Sequence, residues 1–320
     1  MDNSIIKPPR LRPGDKIGII SPSEPVTKVY FQKALRVIGK MGFEVVLGKN
    51  VFNVYSDYMA GTDRERASDI NLMFKNPEIK GILCSCGGFN SNRLLDLIDY
   101  DVVRNNPKVF MGFSDITVLL NAIHKKTGLI TFHGQNMEGF SSGLSGKNEY
   151  TREYFEKAVM QKESIGKISP RGNIEIIRPG KVRGRLVGGN LSVLITLIGT
   201  EYEPDWDGRI LFWEELEQTP QDIDHHLTHL RLSGVFDRIS GMVIGKLVKC
   251  RFPPFSYIKN KNVSPIGKII LEISKDYNFP IIFGVPFGHI DRQIVLPIGV
   301  KASINSRFSI PFSIDGRAVR

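Results

Sequence analysis

A serine at the junction of a buried strand and a helix is the first residue here whose setting could make it reactive. Val109-Phe110-Met111 is a short apolar run closing at Gly112. Ser114 and Asp115 follow, and Ile116, Leu119, Leu120 and Ile123 then fall at helical spacing. A sharp strand-to-helix turn lifts the side chain at its apex clear of the sheet, as α/β hydrolases do with their nucleophile. Ser and Asp are also favoured helix caps, so these residues alone leave both readings open. Gly87-Gly88 lies between another strand and helix. Such a pair can aim backbone N–H groups at a phosphate or a developing oxyanion, or it can simply relieve crowding in a tight turn. It forms neither a Gly-x-Gly-x-x-Gly nor a Walker loop, which gives a nucleotide cofactor little support.

Further candidates stand far along the chain. Glu214 and Glu215 close the apolar run Ile210-Leu211-Phe212-Trp213. On a strand they point to opposite faces, so only one can enter a site, and either alone would suit a solvated strand end. His289, in Val285-Pro286-Phe287-Gly288-His289, suits a general base on a loop or an ordinary surface histidine. The cluster Asp224-His225-His226-Leu227-Thr228-His229 suggests metal at first sight. On a helix, however, Ile223, Leu227 and Leu230 define the core face and put His225 and His229 towards solvent. With no His-Glu-x-x-His and no evident third ligand, no metal site is expected. His124 and His133 read as structural.

The elements that must position these residues alternate. Strands are expected over 15–21, 43–47, 79–84, 108–111 and 129–133. Helices separate them: one carries Phe31, Leu35, Ile38 and Met41, one opens on the capping box Thr62-Asp63-Arg64-Glu65, one runs from Ser91 to Ile98, and one ends at Gly128. This order predicts an α/β fold with a parallel sheet covered on both faces and ligands at the C-terminal strand ends, where Ser114 and Gly87-Gly88 both sit. From Gly139 the pattern loosens into a loop through Gly146, a helix over 148–160 and polar chain as far as Arg183. Beyond that come a helix over 191–198, strands over 209–213 and 242–248, a helix bracketed by Thr219-Pro220 and Gly234, and short runs from Phe279 suggesting a barrel-like or mixed fold. The expected division is an N-terminal domain over 1–165, a linker over 166–183 and a C-terminal domain over 184–320.

Composition narrows the partners. Of 320 residues, 41% are hydrophobic and 24% charged, which is ordinary for a globular protein. The net charge of +10 is scattered. Its densest group, Lys246, Lys249, Arg251, Lys259 and Lys261, is broken by Pro253 and Pro254. Without a basic arm or aromatic-interleaved stripe, nucleic acid is not an expected partner. No apolar run approaches the roughly 20 residues a bilayer requires, so no membrane partner is expected. The 3 cysteines and the absence of a signal pattern at the N-terminus fit a reducing cytoplasm.

Seven stretches, in order, resemble the LD-carboxypeptidase, or S66 serine peptidase, family. They are Leu11-Arg12-Pro13-Gly14-Asp15, Gly61-Thr62-Asp63-Arg64-Glu65-Arg66-Ala67, Gly87-Gly88, Gly112-Phe113-Ser114-Asp115, Gly188-Gly189-Asn190-Leu191, Phe212-Trp213-Glu214-Glu215 and Gly284-Val285-Pro286-Phe287-Gly288-His289. The resemblance implies a flavodoxin-like N-terminal domain related to class I glutamine amidotransferases, a smaller β-rich C-terminal domain, and a homodimer. It places the nucleophile on Ser114, the acidic triad member on Glu214 and the histidine on His289. The oxyanion donors fall on the Gly88 and Asp115 backbone amides, and substrate contacts are expected at Gly87 and Asn90. No cofactor is implied.

Murein-recycling members of that family release D-alanine from murein tetrapeptides; immunity-type members cleave an aminoacyl- or peptidyl-nucleotide amide. The stretches Gly87–Asn92 and Ile98–Asp101, with Cys86 where murein members often carry Arg, look closer to the immunity branch. Thr219–Asp224 and Gln218, where immunity members tend to be basic, look closer to the murein branch. Glu215 stands where the family usually shows Asp. The expected function is a serine carboxypeptidase acting on murein tetrapeptides. The alternatives are an immunity-type hydrolase and a non-catalytic binder of anionic peptides or nucleotides.

Overall fold

The structure is a computed structural model that describes residues 4–141, 149–170, 172–251 and 265–320. The expected loop beyond Ser141 and the basic residues Lys259 and Lys261 lie outside these ranges. Among the described residues the strands are β1 (Lys16–Ile20), β2 (Glu44–Leu47), β3 (Ile79–Cys84), β4 (Val109–Gly112), β5 (Thr131–His133), β6 (Gly166–Lys167) and β7 (Glu175–Arg178). They continue with β8 (Lys181–Asn190), β9 (Arg209–Leu216), β10 (Gly241–Val248), β11 (Ile281–Phe283), β12 (Leu296–Ile298), β13 (Lys301–Asn305) and β14 (Phe312–Ile314).

The first sheet has the order β12-β5-β4-β3-β1-β2, and its first five strands in chain order run parallel. In β1, β3, β4 and β5 the interior positions are almost wholly buried, as expected when helices cover both faces, whereas the edge strand β2 is half-exposed. The helices start and stop where local chemistry directs. Thr62 and Glu65 form a reciprocal capping box at the head of Asp63–Lys75. Gly128, at φ +78°, ends Thr117–Thr127 in the left-handed conformation that glycine adopts without steric penalty. The segment Ser91–Leu97 is a 3₁₀ helix.

The second sheet, of order β6-β14-β13-β8-β9-β10-β11-β7, is parallel at its centre and antiparallel towards both edges. It is an open mixed sheet, so the barrel-like alternative is not adopted. The N-terminal part is therefore α/β with a mostly parallel sheet, and the C-terminal part has its own β-rich sheet.

Two expectations about the connections need correction. Residues 166–183, expected as a linker, supply both edge strands of the second sheet and the start of β8. Edge strands are short and half-exposed, so they carry little apolar alternation to read. In the other direction β12, expected with the C-terminal sheet, pairs antiparallel with β5 of the first. The helix Pro265–Ile273 was not anticipated. No helix among the described residues is long and apolar enough to cross a membrane.

Candidate active site

Ser114 sits at the turn between β4 and the helix Thr117–Thr127 with φ +64°, a conformation that costs a non-glycine residue energy and persists only when its surroundings impose it. The neighbours that impose it are identifiable. Asn136 Oδ1 accepts the Phe113 N–H at 3.0 Å. The Asp115 carboxylate accepts from Ser23 Oγ at 2.6 Å and from the Ser91 N–H at 2.9 Å, while Ser91 Oγ donates to the Asp115 carbonyl. Burial pushes the Asp115 carboxyl above its ordinary range, and these hydrogen bonds with nearby Arg66 pull it back. Asp115 thus ties the turn to the loops after β1 and β3.

Those loops bring the glycine pair to the serine. A Cβ built on Gly87 would lie 2.8 Å from Ser114 Cβ and 3.0 Å from its Oγ. Gly88 has φ +125°, and a Cβ there would lie 2.2 Å from Glu24 Cγ. Glycine is required at Gly88 twice over, by conformation and by contact. The Glu24 carboxyl that covers it is raised above its usual pKa, first by burial and then by Asp115. Asn90 takes φ +70°, and its carbonyl accepts from Arg66, whose buried guanidinium also holds the Pro22 carbonyl and Asp63.

The second sheet delivers the other partners. β9 continues through Glu214 and Glu215 to Leu216, and both carboxylates are buried rather than solvated. Glu214 Oε2 lies 2.7 Å from His289 Nδ1, and His289 Nε2 lies 3.0 Å from Ser114 Oγ. Glu215 turns away to accept the Ser192 N–H at 2.8 Å and its neighbour Leu216 N–H at 3.0 Å. Asn190 Nδ2 donates to both glutamates, at 3.2 Å to Glu214 and 2.9 Å to Glu215. The Asn190 N–H in turn donates to Thr117 Oγ1 at 2.9 Å, joining β8 to the first turn of the helix behind Ser114.

With Glu214 on Nδ1, the tautomer protonated there leaves the Nε2 lone pair facing the serine hydroxyl. A chain of this kind can withdraw a proton from Ser114 Oγ and return it to a leaving group. The expected residues Ser114, Glu214 and His289 thus meet, although they come from three separate segments. Gly87 and Gly88 adjoin them and Asn90 lies just beyond. His225 and His229 project from the exposed face of the helix Pro220–Leu232, apart from this cluster. No group of three His, Cys, Asp or Glu side chains among the described residues could hold a metal ion.

Asn136, Asn190 and His133 have contacts here to which sequence reasoning gave no part. Asn190 had a readable signal, following two glycines and capping the short helix Leu191–Leu194. Asn136 had none. His133 is fully buried with both ring nitrogens unpartnered, an arrangement that costs on the order of 1–3 kcal/mol for each unsatisfied group.

Models of the LD-carboxypeptidase N-terminal and C-terminal domains match residues 17–134 and 183–304. The chain belongs to the LD-carboxypeptidase family. Among its curated relatives is a probable murein peptide carboxypeptidase of Bacillus subtilis, 35% identical over 94% of this chain and 92% of the relative. The microcin C7 self-immunity protein of Escherichia coli is 32% identical, with 91% of each chain covered. Among solved LD-carboxypeptidase-like structures, that immunity protein in complex with aspartyl sulfamoyl adenosine superposes with a TM-score of 0.88 at 29% identity, covering 98% of this chain and 100% of the other. A muramoyltetrapeptide carboxypeptidase from Oxalobacter formigenes superposes with a TM-score of 0.79 at 26% identity, covering 94% and 99%.

Proposed function

We propose that this protein is a serine-type LD-carboxypeptidase that releases D-alanine from murein tetrapeptides, with Ser114, His289 and Glu214 as its triad. The observation that carries this reading is the continuous chain from Glu214 through His289 to Ser114, at 2.7 and 3.0 Å. Ser114 Oγ attacks the carbonyl carbon of the terminal amide as His289 Nε2 takes its proton. The tetrahedral oxyanion is met by the Gly88 and Asp115 N–H groups. His289 then hands the proton to the departing D-alanine amine. A water, deprotonated by the same nitrogen, hydrolyses the acyl-enzyme and frees Ser114. Glu214 holds His289 in its tautomer and balances the imidazolium. Gly87 and Asn90 line the approach.

The immunity-type reading has its own support in the higher structural likeness to the microcin C7 self-immunity protein, against the higher sequence identity to the murein relative. One mass-spectrometric assay separates them, with a murein tetrapeptide and aspartyl sulfamoyl adenosine offered in parallel. Loss of D-alanine is the expected result. Release of aspartate alone would replace the substrate assignment. Turnover of neither would overturn hydrolysis and favour a binder.

Gly87→Ala probes the reading at its tightest contact. The new methyl would press on Ser114 at 2.8 Å, and the serine must shift to admit it. A displacement approaching 1 Å at a reacting atom costs about 100-fold in rate, so kcat is expected to fall by that order. Steady-state kinetics on whichever substrate is turned over provide the check, and an unchanged kcat would mean that Ser114 Oγ is not the attacking atom.

A further inference from the structure

His133 ends β5 in register with Gly112, and the adjoining Gly134 N–H donates to the Gly112 carbonyl at 3.0 Å. Its ring is packed by three phenylalanines, with centroids 6.1 Å away at Phe113, 5.4 Å at Phe212 and 6.1 Å at Phe287, at interplanar angles of 78°, 70° and 89°. Each comes from a different triad-bearing segment. Phe113 immediately precedes Ser114, Phe212 lies two residues before Glu214, and Phe287 lies two before His289. The rings also touch one another and the site, Phe212 against Phe287 at 5.8 Å and Phe113 against His289 at 4.9 Å. The three segments thus converge on one imidazole.

An imidazole is an unexpected choice for that place. Neither nitrogen has a partner, and a hydrocarbon side chain would avoid the desolvation cost. A buried polar ring without hydrogen bonds at the centre of a site calls for an explanation, and its contacts with the three triad-bearing segments supply one. From the geometry we infer that His133 is a positioning residue, a neutral ring small enough for all three phenylalanines to close around it, which fixes the mutual placement of Ser114, Glu214 and His289.

Its electrostatic setting agrees. Burial pulls the His133 pKa from 6.5 down to about 4; Glu214 opposes this and His289 reinforces it. His133 therefore stays uncharged near neutrality and leaves His289 as the only imidazole bonded to the Glu214 carboxylate, whose other oxygen accepts from Asn190. Because the folded-state pKa is depressed, the corresponding stability is complete above 6.5 and is lost as the pH falls towards 4.

The inference rests on the triad reading, so its test includes a measurement that needs no turnover. His133→Phe and His133→Asn are compared with the native protein by steady-state kinetics and by NMR titration of the histidine rings. In His133→Phe the larger ring forces Phe113 against His289. The expected result is a folded protein whose kcat is down about tenfold or more, whose KM is within about threefold, and whose His289 titration curve differs from that of the native protein. His133→Asn, which leaves a gap instead, is expected to shift the same quantities and serves if the phenylalanine variant does not fold. Native values of kcat and of the His289 midpoint in the folded variants would overturn the inference. So would a native His133 ring that titrates near 6.5, a result that requires no variant. A protein inactive on both substrates whose His289 midpoint still responds to His133 would fail the hydrolase reading and leave this one standing.

Discussion

Ser114→Ala is expected to fold as the native protein does and to lose about 10⁵- to 10⁶-fold in kcat. The substitution removes one oxygen whose protein partner is His289 Nε2, and His289 keeps its bond to Glu214. The left-handed conformation at φ +64° disfavours alanine as it does serine, so no new backbone strain is introduced. Stability should therefore stay within about 1 kcal/mol of native, with an unchanged circular dichroism spectrum. Ser114→Gly sharpens the point. Glycine relaxes the backbone, so that variant should be somewhat more stable and equally inactive, as expected where strain is held for catalysis. Any residual rate would come from substrate binding and the oxyanion donors, which alone can retain about 10³-fold over water. Retention of more than a tenth of native kcat by the alanine variant would remove Ser114 as nucleophile.

The parallel sheet and the turn at Ser114 were legible because both are local. A strand, a glycine and an amphipathic helix within twenty-odd residues carry their own periodicity, and the glycine pair at the neighbouring strand end follows the same rule. The choice between Glu214 and Glu215 was not legible from the residues themselves. Alternation says that only one can enter the site, but which one depends on the β8–β9 register that sets Asn190 opposite Glu214. His289 lies 175 residues from Ser114; its place on a loop between apolar segments made it a candidate base or an ordinary surface histidine, and only the family resemblance chose between the two. His133 read as structural because it ends an apolar strand. Its three aromatic neighbours are distant in sequence, and no window around it reveals them. The edge strands within 166–183 failed for the opposite reason. They are too short and too exposed to alternate, so they looked like a linker until the sheet paired them.

Glu214→Gln and Glu215→Gln should part company, although the residues are adjacent, isosteric in substitution and both buried. Glu214 Oε2 accepts from His289 Nδ1, and a Cβ on Gly288 would lie only 2.6 Å from that oxygen, so the carboxylate has little room to move. A glutamine amide turned with its NH₂ towards His289 favours the other tautomer, with hydrogen on Nε2, which cannot take the Ser114 proton. An equivalent change in another Ser-His-Asp enzyme costs about 10⁴ in kcat with geometry intact, and a loss of that order is expected here. Glu215 instead accepts only donors, from Asn190, Ser192 and its neighbour Leu216, and contacts no reacting atom. Burial raises its pKa and those donors oppose the shift. An amide there sets an NH₂ against an N–H, so Glu215→Gln should cost about 1–3 kcal/mol of stability while kcat falls by less than about tenfold. Chemical denaturation and steady-state kinetics on both variants separate the two effects. Because Asn190 touches both carboxylates, the double variant should depart from additivity, with its stability loss differing from the sum of the singles. Equal losses of kcat in the two single variants would refute the assignment of Glu214 as the residue that orients His289.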